Sequence, residues 1–351
     1  MESGTPTRSS RRRFLAACSS GALAALAGCA VQGEPSDLEG EIVMDGSNTV
    51  FPHGAAVAEE FQWRNGFVRI PASGSGTGAG FQRFCAGETV VQNASRAVLP
   101  DEVKRCHNND TYFVELPALR DGLAIWANPE NDWCDCLTVD ELDRIWQRGS
   151  DVQTWRDVRP DDPSWPDEEI NLYGRDSASG TFDYFTRELT GGGEQIGNIR
   201  SDYSASADTN VIVRGVRGSK HGLGFGGAGY YYENENDLKL IAVDDGNGCI
   251  RPTRETIETD EYTPLTRDMY IYFRTDAFSR EEVRAFARFF FSEVDEKGYE
   301  LGRELGIVEG DESLTWTQWA ARRVGYYAIP DERVDESSNV LEDAISEVTD
   351  G

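Results

Sequence analysis

The sequence predicts an α/β fold, and three observations support this prediction. Short apolar runs of strand length alternate with longer segments whose apolar residues recur at helical spacing. Small, hydroxyl-rich segments stand between several of these pairs. The chain shows neither an internal repeat nor a coiled-coil heptad pattern. This alternation is typical of a mainly parallel sheet that is flanked by helices.

The first half of the chain supplies most of the pattern. Its predicted strands are the runs EIVMDG, FVRIPAS and GLAIWANP, and its predicted helices are PHGAAVAEEFQWRNG and GAGFQRFCAG. A further helix is predicted in LTVDELDRIWQRG, because Thr138 and Glu141 have the spacing of a capping box.

The second half continues the pattern with weaker signals. EINLYGR is strand-like, and GLGFGGAGYYY is interpreted as a glycine-rich turn that leads into a strand. REEVRAFARFFFSEV has the apolar spacing of an amphipathic helix. The tail after Pro330 is acidic and poor in apolar residues, so both a last helix and partial disorder are compatible with it.

The N-terminus is predicted to be a targeting segment and not part of the fold. Arg11 to Arg13 precede a short apolar stretch, which is typical of a twin-arginine export signal. The run from Leu26 to Cys29 is typical of a lipoprotein cleavage box, so residues 1–28 are expected to be removed and Cys29 to carry lipid. The alternative is a plain secretory signal with an incidental cysteine. Residues 29–39 are polar and turn-rich, and they are predicted to be a tether.

The charge of the chain restricts its partners. The net charge is −28 over 351 residues, and only four of the basic residues are lysines. An acidic surface of this kind suits a halophilic protein, because high salt screens the self-repulsion. The alternative is an ordinary acidic extracellular protein. Nucleic acid is excluded as a partner, because its phosphate backbone requires a basic face.

Five cysteines remain once Cys18 and Cys29 are assigned to the leader and the lipid. Disulfides persist in exported proteins, so at most two bridges and one leftover thiol are expected, with no pairing defined. Neither a metal nor a cofactor is predicted, because no second pair of ligands has the usual spacing. The five candidates are Cys85, Cys106, Cys134, Cys136 and Cys249.

Three small, hydroxyl-rich loops each follow a predicted strand and precede a predicted helix. They lie in the runs DGSNTVFPHG, SGSGTGAGF and YGRDSASGTFDYF. Backbone N–H groups at a helix start lack helical partners, and the helix dipole adds partial positive charge there. A single loop of this kind is also compatible with a flexible turn. Three together predict a cage for a dehydrated oxyanion, to which Arg175 adds a planar set of donors.

Other anion-binding motifs do not fit these loops. No Gly-Lys-Ser/Thr follows them, which excludes a Walker phosphate loop. GSGTGAG lacks the acidic partner of a dinucleotide fingerprint, and no G-x-S-x-G elbow is present.

With these residues in view, the chain resembles the phosphate-binding proteins of ABC importers, in the type II periplasmic-binding-protein class. The resemblance covers residues 41 to 330, and the charge pattern suggests a haloarchaeal member. It implies two α/β lobes of mixed sheets flanked by helices, with the anion in the interlobe cleft. Lobe 1 would consist of residues 40–120 plus 268–351, and lobe 2 of residues 121–267. The motifs that carry it are DGSNTVFP, SGSGTG, NASR, GRDSASGTFDYF, GLGFGGAGYYY and LTRDMYIYF.

The resemblance also implies a set of phosphate-binding residues. The first loop would donate through Thr49 and the backbone of Val50, and the second through Ser75. The third loop would supply Arg175 and the turn of Ser179, Gly180 and Thr181.

One further position of the family falls on Arg96. The best-known members have an aspartate there, which accepts a proton from phosphate, so the arginine adds a donor and removes an acceptor. The alternative is a surface arginine paired with a nearby carboxylate. Another acceptor is then needed for protonated phosphate, and Asp45 is the first candidate, ahead of Asp176 and Asp183.

The function expected from this resemblance is a binding protein, not an enzyme, and it has no catalytic residues. The protein would capture inorganic phosphate and deliver it to an ABC permease, as a monomer. It would be exported to the cell surface and held on the outer face of the cytoplasmic membrane by its lipid alone. Alternatives are another oxyanion, such as sulfate or molybdate, and a surface phosphate sensor. An exported phosphoester hydrolase is disfavoured, because no metal cluster or nucleophile–histidine pairing is evident.

Overall fold

The computed structural model describes residues 37–177, 179–190, 196–263 and 265–350, which all belong to one unit, Gly33–Gly351. The predicted signal segment, Cys29 and most of the predicted tether lie outside the described residues. In the described part, no helix has both the length and the apolar character needed to cross a membrane.

Strands and helices alternate along most of the chain. The strands are β1 (Glu39–Glu41), β2 (Met44–Gly46), β3 (Phe67–Arg69), β4 (Val91–Ala94), β5 (Phe113–Ala127), β6 (Cys136–Thr138), β7 (Asn171–Arg175), β8 (Ser204–Ser206), β9 (Gly222–Gly227), β10 (Lys239–Asp244), β11 (Cys249–Ile250) and β12 (Thr266–Arg274). The helices are α1 (Phe51–Arg64), α2 (Thr77–Cys85), α3 (Pro100–Asn108), α4 (Val139–Trp146), α5 (Trp155–Val158), α6 (Gly180–Phe185), α7 (Thr209–Arg217), α8 (Ala228–Glu233), α9 (Arg254–Glu258), α10 (Glu281–Phe291), α11 (Glu296–Leu305), α12 (Trp316–Arg323) and α13 (Asp331–Thr349). A π-helical turn (Thr186–Thr190) continues α6, and a 3-10 turn spans Asp276–Ser279.

The main sheet is mixed, whereas the alternation alone predicts a mainly parallel one. Its strands follow the order β2-β4-β12-β5-β9-β7-β8, and β10, β6 and β11 extend it beside β5. β2 pairs with β4 and β7 with β9 in parallel, but β5 and β12 run antiparallel to each other from Thr266 opposite Gly122 to Arg274 opposite Phe113. These two long strands lie side by side in the middle of the sheet and run in opposite directions, so the sheet is mixed and not mainly parallel.

The buried apolar side chains form two large cores, which confirms the predicted two-lobe α/β architecture. The core of lobe 1 combines residues between Ile42 and Leu119 with residues between Met269 and Ile345. The core of lobe 2 lies between Leu123 and Leu265 and adds Tyr327. β5 contributes to both cores, and β12 contributes to the core of lobe 1 directly after Leu265 of the lobe 2 core, so these strands connect the lobes.

Local signals explain several elements directly. Thr138 Oγ1 accepts from Glu141 N at 3.1 Å, and Glu141 Oε2 accepts from Thr138 N at 2.9 Å, so the predicted capping box starts α4. The predicted amphipathic helix is α10, which buries Val283, Phe286 and Phe290. The acidic tail forms α13.

The glycine-rich run is a strand itself, not a turn that leads into one. It forms β9 and continues as the short helix α8. A Cβ at Gly226 would lie 2.4 Å from the Trp126 ring of β5, so the absence of a side chain lets the two strands pair beside that tryptophan. Glycine here serves close packing and not a turn conformation.

Two disulfides and one thiol account for the five cysteines. Cys85 bridges to Cys106, and Cys136 bridges to Cys249. Cys134 is a buried free cysteine, and burial raises the pKa of its thiol to about 12. The expected limit of two bridges and one leftover thiol is thus confirmed.

Candidate anion-binding site

The first predicted loop connects β2 to α1 and is held against β4. Ser47 N donates to Asn93 O at 2.8 Å, and Thr49 N donates to Ser47 Oγ at 3.2 Å. The next residue, Val50, is buried, and α1 begins at Phe51 without a side-chain cap. The N-terminus of this helix of 14 residues therefore keeps its partial positive charge available to an anion.

The second loop is bound to the end of β2 through Asp45. The buried carboxylate of Asp45 accepts from Ser73 Oγ at 2.8 Å, from Ser75 N at 3.1 Å and from Ser75 Oγ at 2.9 Å, and it pairs with Arg83. Burial raises the pKa of Asp45, but hydrogen bonds from Gly46 N, Ser73 and Ser75 outweigh it and leave that pKa below its usual value. The hydroxyl of Ser75, predicted to contact the ligand, is thus engaged by a carboxylate of the protein.

The third loop is built around Arg175, the last residue of β7. Its Nε donates to Ser179 Oγ at 3.0 Å, and its Nη1 donates to Thr209 Oγ1 at the start of α7. Ser179 also accepts from Thr181 N at 3.2 Å and caps α6. Tyr203 donates to the carbonyl of Arg175 at 2.9 Å. The guanidinium is therefore fixed beside the turn that begins at Ser179, four residues after Arg175 in the sequence.

Arg96 follows β4 and forms a two-point ion pair with Glu102. The two N–O distances are 2.8 and 2.9 Å, and Nη1 also donates to Ala97 O at 3.1 Å. Glu102 in turn accepts from Leu99 N at 2.9 Å and caps α3. This pairing matches the alternative interpretation of Arg96, a surface arginine held by a nearby carboxylate.

Two neighbouring cavities lie where the first and third loops face each other. Cavity A has a volume of about 450 Å³ and is lined by Thr49, Asp121, Arg175, Ser179, Gly180, Thr181, Thr209, Gly227, Ala228, Gly229, Tyr230, Val324, Gly325, Tyr326 and Tyr327. Cavity B has a volume of about 320 Å³ and is lined by Ser47, Asn48, Thr49, Gly76, Thr77, Ser95, Arg96, Gly180, Asp183, Tyr184, Arg187, Ile196 and Arg267. Thr49 of lobe 1 and Gly180 of lobe 2 line both, so the two cavities adjoin at these residues.

Most of the predicted binding residues line this junction. Thr49, Arg175, Ser179, Gly180 and Thr181 line cavity A, and Arg96 lines cavity B. The predicted residues that line neither cavity are Asp45, Asp176, Val50 and Ser75, whereas Asp183 lines cavity B.

Arg267 of β12 connects the third loop to the crossing strands. It pairs with Asp121 of β5 at 2.8 Å and donates to Gly180 O at 3.3 Å. Its guanidinium also lies over the ring of Tyr184, with 4.9 Å to the ring centre. The sequence includes Arg267 in the run LTRDMYIYF, but no local feature assigns it to the site. Its role depends on a pairing across 146 residues, which local patterns do not reveal.

Arginines dominate the charge around the junction. Arg175 lines cavity A, and Arg96, Arg187 and Arg267 line cavity B. Among the described lining residues, the carboxylates are Asp121 in cavity A and Asp183 in cavity B. Arg96, Arg187 and Arg267 each pair with a carboxylate, whereas the guanidinium of Arg175 is bound by the hydroxyls of Ser179 and Thr209. Arg175 is therefore the main candidate for a local positive charge toward an anion in a chain of net charge −28.

Comparison with known proteins places the chain in a family. A family profile described as "PBP superfamily domain" matches residues 30–294. Protein SphX of Synechocystis sp. is 38% identical over 301 residues, which cover 80% of this chain and 88% of that protein. The phosphate-binding protein PstS of Staphylococcus saprophyticus is 32% identical over 308 residues, which cover 88% of this chain and 86% of that protein.

A solved structure supports the same assignment. The crystal structure of "a possible phosphate binding protein" from Planctomyces limnophilus superposes with a TM-score of 0.63 at 39% sequence identity. The superposition covers 88% of this chain and 99% of that one. The chain therefore belongs to the PBP superfamily and, within it, to the family of phosphate-binding proteins that these relatives represent.

Proposed function

We propose that this protein captures inorganic phosphate in the cleft between its lobes and delivers it to an ABC import permease. One observation carries the proposal: Thr49 of lobe 1 and the loop of Arg175, Ser179 and Gly180 in lobe 2 line one arginine-rich junction. An anion at this point would contact both lobes and favour closure, because a ligand shifts the equilibrium toward the state that it binds better. The relatives named as phosphate-binding proteins support the same ligand.

The binding residues would be those of the first and third loops. The N-terminus of α1, with Thr49 and the backbone of Val50, would act from lobe 1. Arg175, Ser179, Gly180 and Thr181 would act from lobe 2. Ser75 and Arg96 are weaker candidates as direct ligands, because Asp45 and Glu102 already engage their polar groups.

The proposal includes the division of the chain and its location. Lobe 1 would consist of residues 40–120 with 268–351, and lobe 2 of residues 121–267, which the composition of the two cores supports. The mature protein would be an exported monomer that lipid on Cys29 holds at the membrane. Sulfate or molybdate as ligand, and a sensor role for the same cleft, are the competing proposals.

A calorimetric titration at high salt tests the function. We expect phosphate to bind with a dissociation constant of about 1 μM or tighter, equivalent to about −8 kcal/mol. Arg175→Ala should weaken binding by about a hundredfold, because hydrogen bonds to charged groups contribute roughly 1.5–3 kcal/mol each. Thermal melting should change little, since water can enter the emptied space.

The control is Arg217→Ala, which removes an exposed arginine of lobe 2 that pairs with Asp237 away from both cavities. Its phosphate affinity should equal that of the unmodified protein. Tighter binding of sulfate or molybdate than of phosphate would replace the proposed ligand. An Arg175→Ala variant with unchanged affinity would show that this arginine only supports the loop.

A further inference from the structure

The donors around the junction leave the distinction between phosphate and sulfate unexplained. Both are tetrahedral oxyanions of similar size, but phosphate near neutral pH carries at least one proton and sulfate carries none. Backbone N–H groups and arginines can only donate, and a hydroxyl can donate to either anion, so these groups do not exclude sulfate. Discrimination requires an acceptor that faces the ligand.

Asp45, the acceptor expected from the sequence, has little capacity left for a ligand. An ionised carboxylate offers about four acceptor positions. Three hydrogen bonds from Ser73 and Ser75 and the ion pair with Arg83 already use them. Asp45 also lines neither cavity A nor cavity B.

The two carboxylates that line the cavities differ in their engagement. Asp121 faces cavity A, but its carboxylate is paired with Arg267 at 2.8 Å. Asp183 faces cavity B, and no described residue donates a hydrogen bond to its carboxylate. The carboxylate is partly buried, and the positive charges that act on it are those of Arg267 and Arg187. Both of these arginines are already paired, with Asp121 and with Glu188.

The position of Asp183 in α6 places it beside the anion loop. It follows Gly180 by three residues on α6, and residues at this spacing lie on one face of a helix. Gly180 and Asp183 both line cavity B, and Gly180 also lines cavity A, so this face of α6 borders the cavity next to the anion loop. Burial raises the pKa of Asp183, while Arg267 and Arg187 oppose this rise. The acceptor positions of this half-buried carboxylate are therefore not filled by any described residue.

We propose that Asp183 is the residue that selects phosphate over sulfate, by accepting the hydrogen bond of a protonated phosphate oxygen. This inference rests on the proposed function. A sulfate in the same position would place an unprotonated oxygen against the carboxylate, and the two negative groups would repel each other. The positive charges of the neighbouring arginines offset part of the negative charge of the carboxylate, which reduces its repulsion of the bound anion.

The test measures the ratio of phosphate to sulfate affinity, by calorimetric titration of each anion at neutral pH and high salt. The ratio is the proper quantity, because removal of a negative charge strengthens the binding of both anions. We expect Asp183→Ala to reduce this ratio by about ten- to a hundredfold, the effect of one lost hydrogen bond to a charged group. Asp183→Asn keeps a neutral acceptor oxygen and should reduce the ratio less.

The matched control is Asp143→Ala in α4. Asp143 is also half-buried in lobe 2, burial also raises its pKa, and it lines neither cavity. Its ratio should equal that of the unmodified protein, and circular dichroism melting should show that all variants fold. Phosphate binding by the unmodified protein with the same ratio in both Asp183 variants would overturn this inference alone. Failure of the unmodified protein to bind phosphate would overturn the proposed function, and this inference with it.

Discussion

His53 shows how one buried side chain can make the stability of the protein depend on pH. Its Nε2 lies 3.0 Å from Thr317 O and 3.1 Å from Thr317 Oγ1, and its Nδ1 has no hydrogen-bond partner among the described residues. Burial lowers the pKa of His53 from 6.5 to about 4, although the bond to the Thr317 carbonyl opposes this shift. The neutral imidazole therefore fits the folded protein, and the charged form does not.

Acidification is therefore expected to destabilise the fold through this residue. In the unfolded chain His53 binds a proton below pH 6.5, but in the folded chain it does so only near pH 4. The stability that is present above pH 6.5 is therefore lost as the pH falls from 6.5 toward 4. The loss attributable to His53 is ~3 kcal/mol of unfolding free energy, from 1.36 kcal/mol per pKa unit. Denaturant unfolding at pH 7 and at pH 4 measures it.

A pair of variants separates His53 from the carboxylates that titrate in the same range. His53→Gln should flatten the pH dependence between these two values. His107→Gln, at an exposed position of α3, should leave it as it is. Equal pH dependence in His53→Gln and the unmodified protein would contradict the assignment.

At the scale of elements, the junction of β2, β4 and α2 depends on the absence of a side chain at Gly46. Its φ is 133°, and a Cβ there would lie 2.1 Å from the carbonyl oxygen of Asn93, its partner in β4. A Cβ at Gly80 in α2 would in turn lie 2.6 Å from Gly46 Cα. The first and second loops therefore approach each other through a backbone contact that only glycine permits.

Gly46→Ala is expected to lower the unfolding free energy by roughly 2–6 kcal/mol, the sum of backbone strain and overpacking. The control is Gly66→Ala, because Gly66 is exposed, has no φ in the left-handed region, and has no atom within 4 Å of a built Cβ. Its stability should change by no more than about 1 kcal/mol. Denaturant titration measures the unfolding free energy of both variants. Equal stability would show that the β2–β4 contact accommodates a methyl group without a loss of stability.

At the scale of the whole molecule, the two cores are joined by strands and by ion pairs. Arg120 of β5 is buried and binds Asp268 of β12 at 2.9 Å, so the two crossing strands are fixed to each other. Arg322 of α12 and Glu258 of α9 pair at 2.8 Å between elements of different cores. The first pair fixes the crossing strands within lobe 1, and the second connects the two lobes at a point outside cavities A and B.

The attachment of the molecule to the membrane is a separate prediction that falls on residues outside those described. Cys29→Ser should move the protein from the membrane fraction to the medium, because it removes the only site proposed for lipid. Cys18→Ser, which changes a cysteine of the predicted leader, should leave the protein in the membrane fraction. Cell fractionation with immunodetection measures both. A membrane-bound Cys29→Ser variant would contradict the lipid anchor.

The sequence by itself determined the local parts of this protein. The strand–loop–helix contexts of Thr49 and Arg175, the capping box of Thr138 and the amphipathic α10 follow from spacing and from side chains that bond within a few residues. Such features depend on backbone geometry over one or two turns, and the chain carries that information in its order. The predicted halophilic origin also derives from composition alone, and it stays a prediction.

Tertiary structure decided everything that depends on which distant groups meet. Asp45 is engaged by serines about 30 residues away, and Arg267 pairs with Asp121 across 146 residues. The cysteine pairs are separated by 21 and 113 residues, and β5 and β12 lie antiparallel where alternation predicts parallel strands. Each carboxylate has a limited number of acceptor positions. Only the folded chain shows which carboxylates are filled by the protein, as at Asp45, and which receive no hydrogen bond from a described residue, as at Asp183.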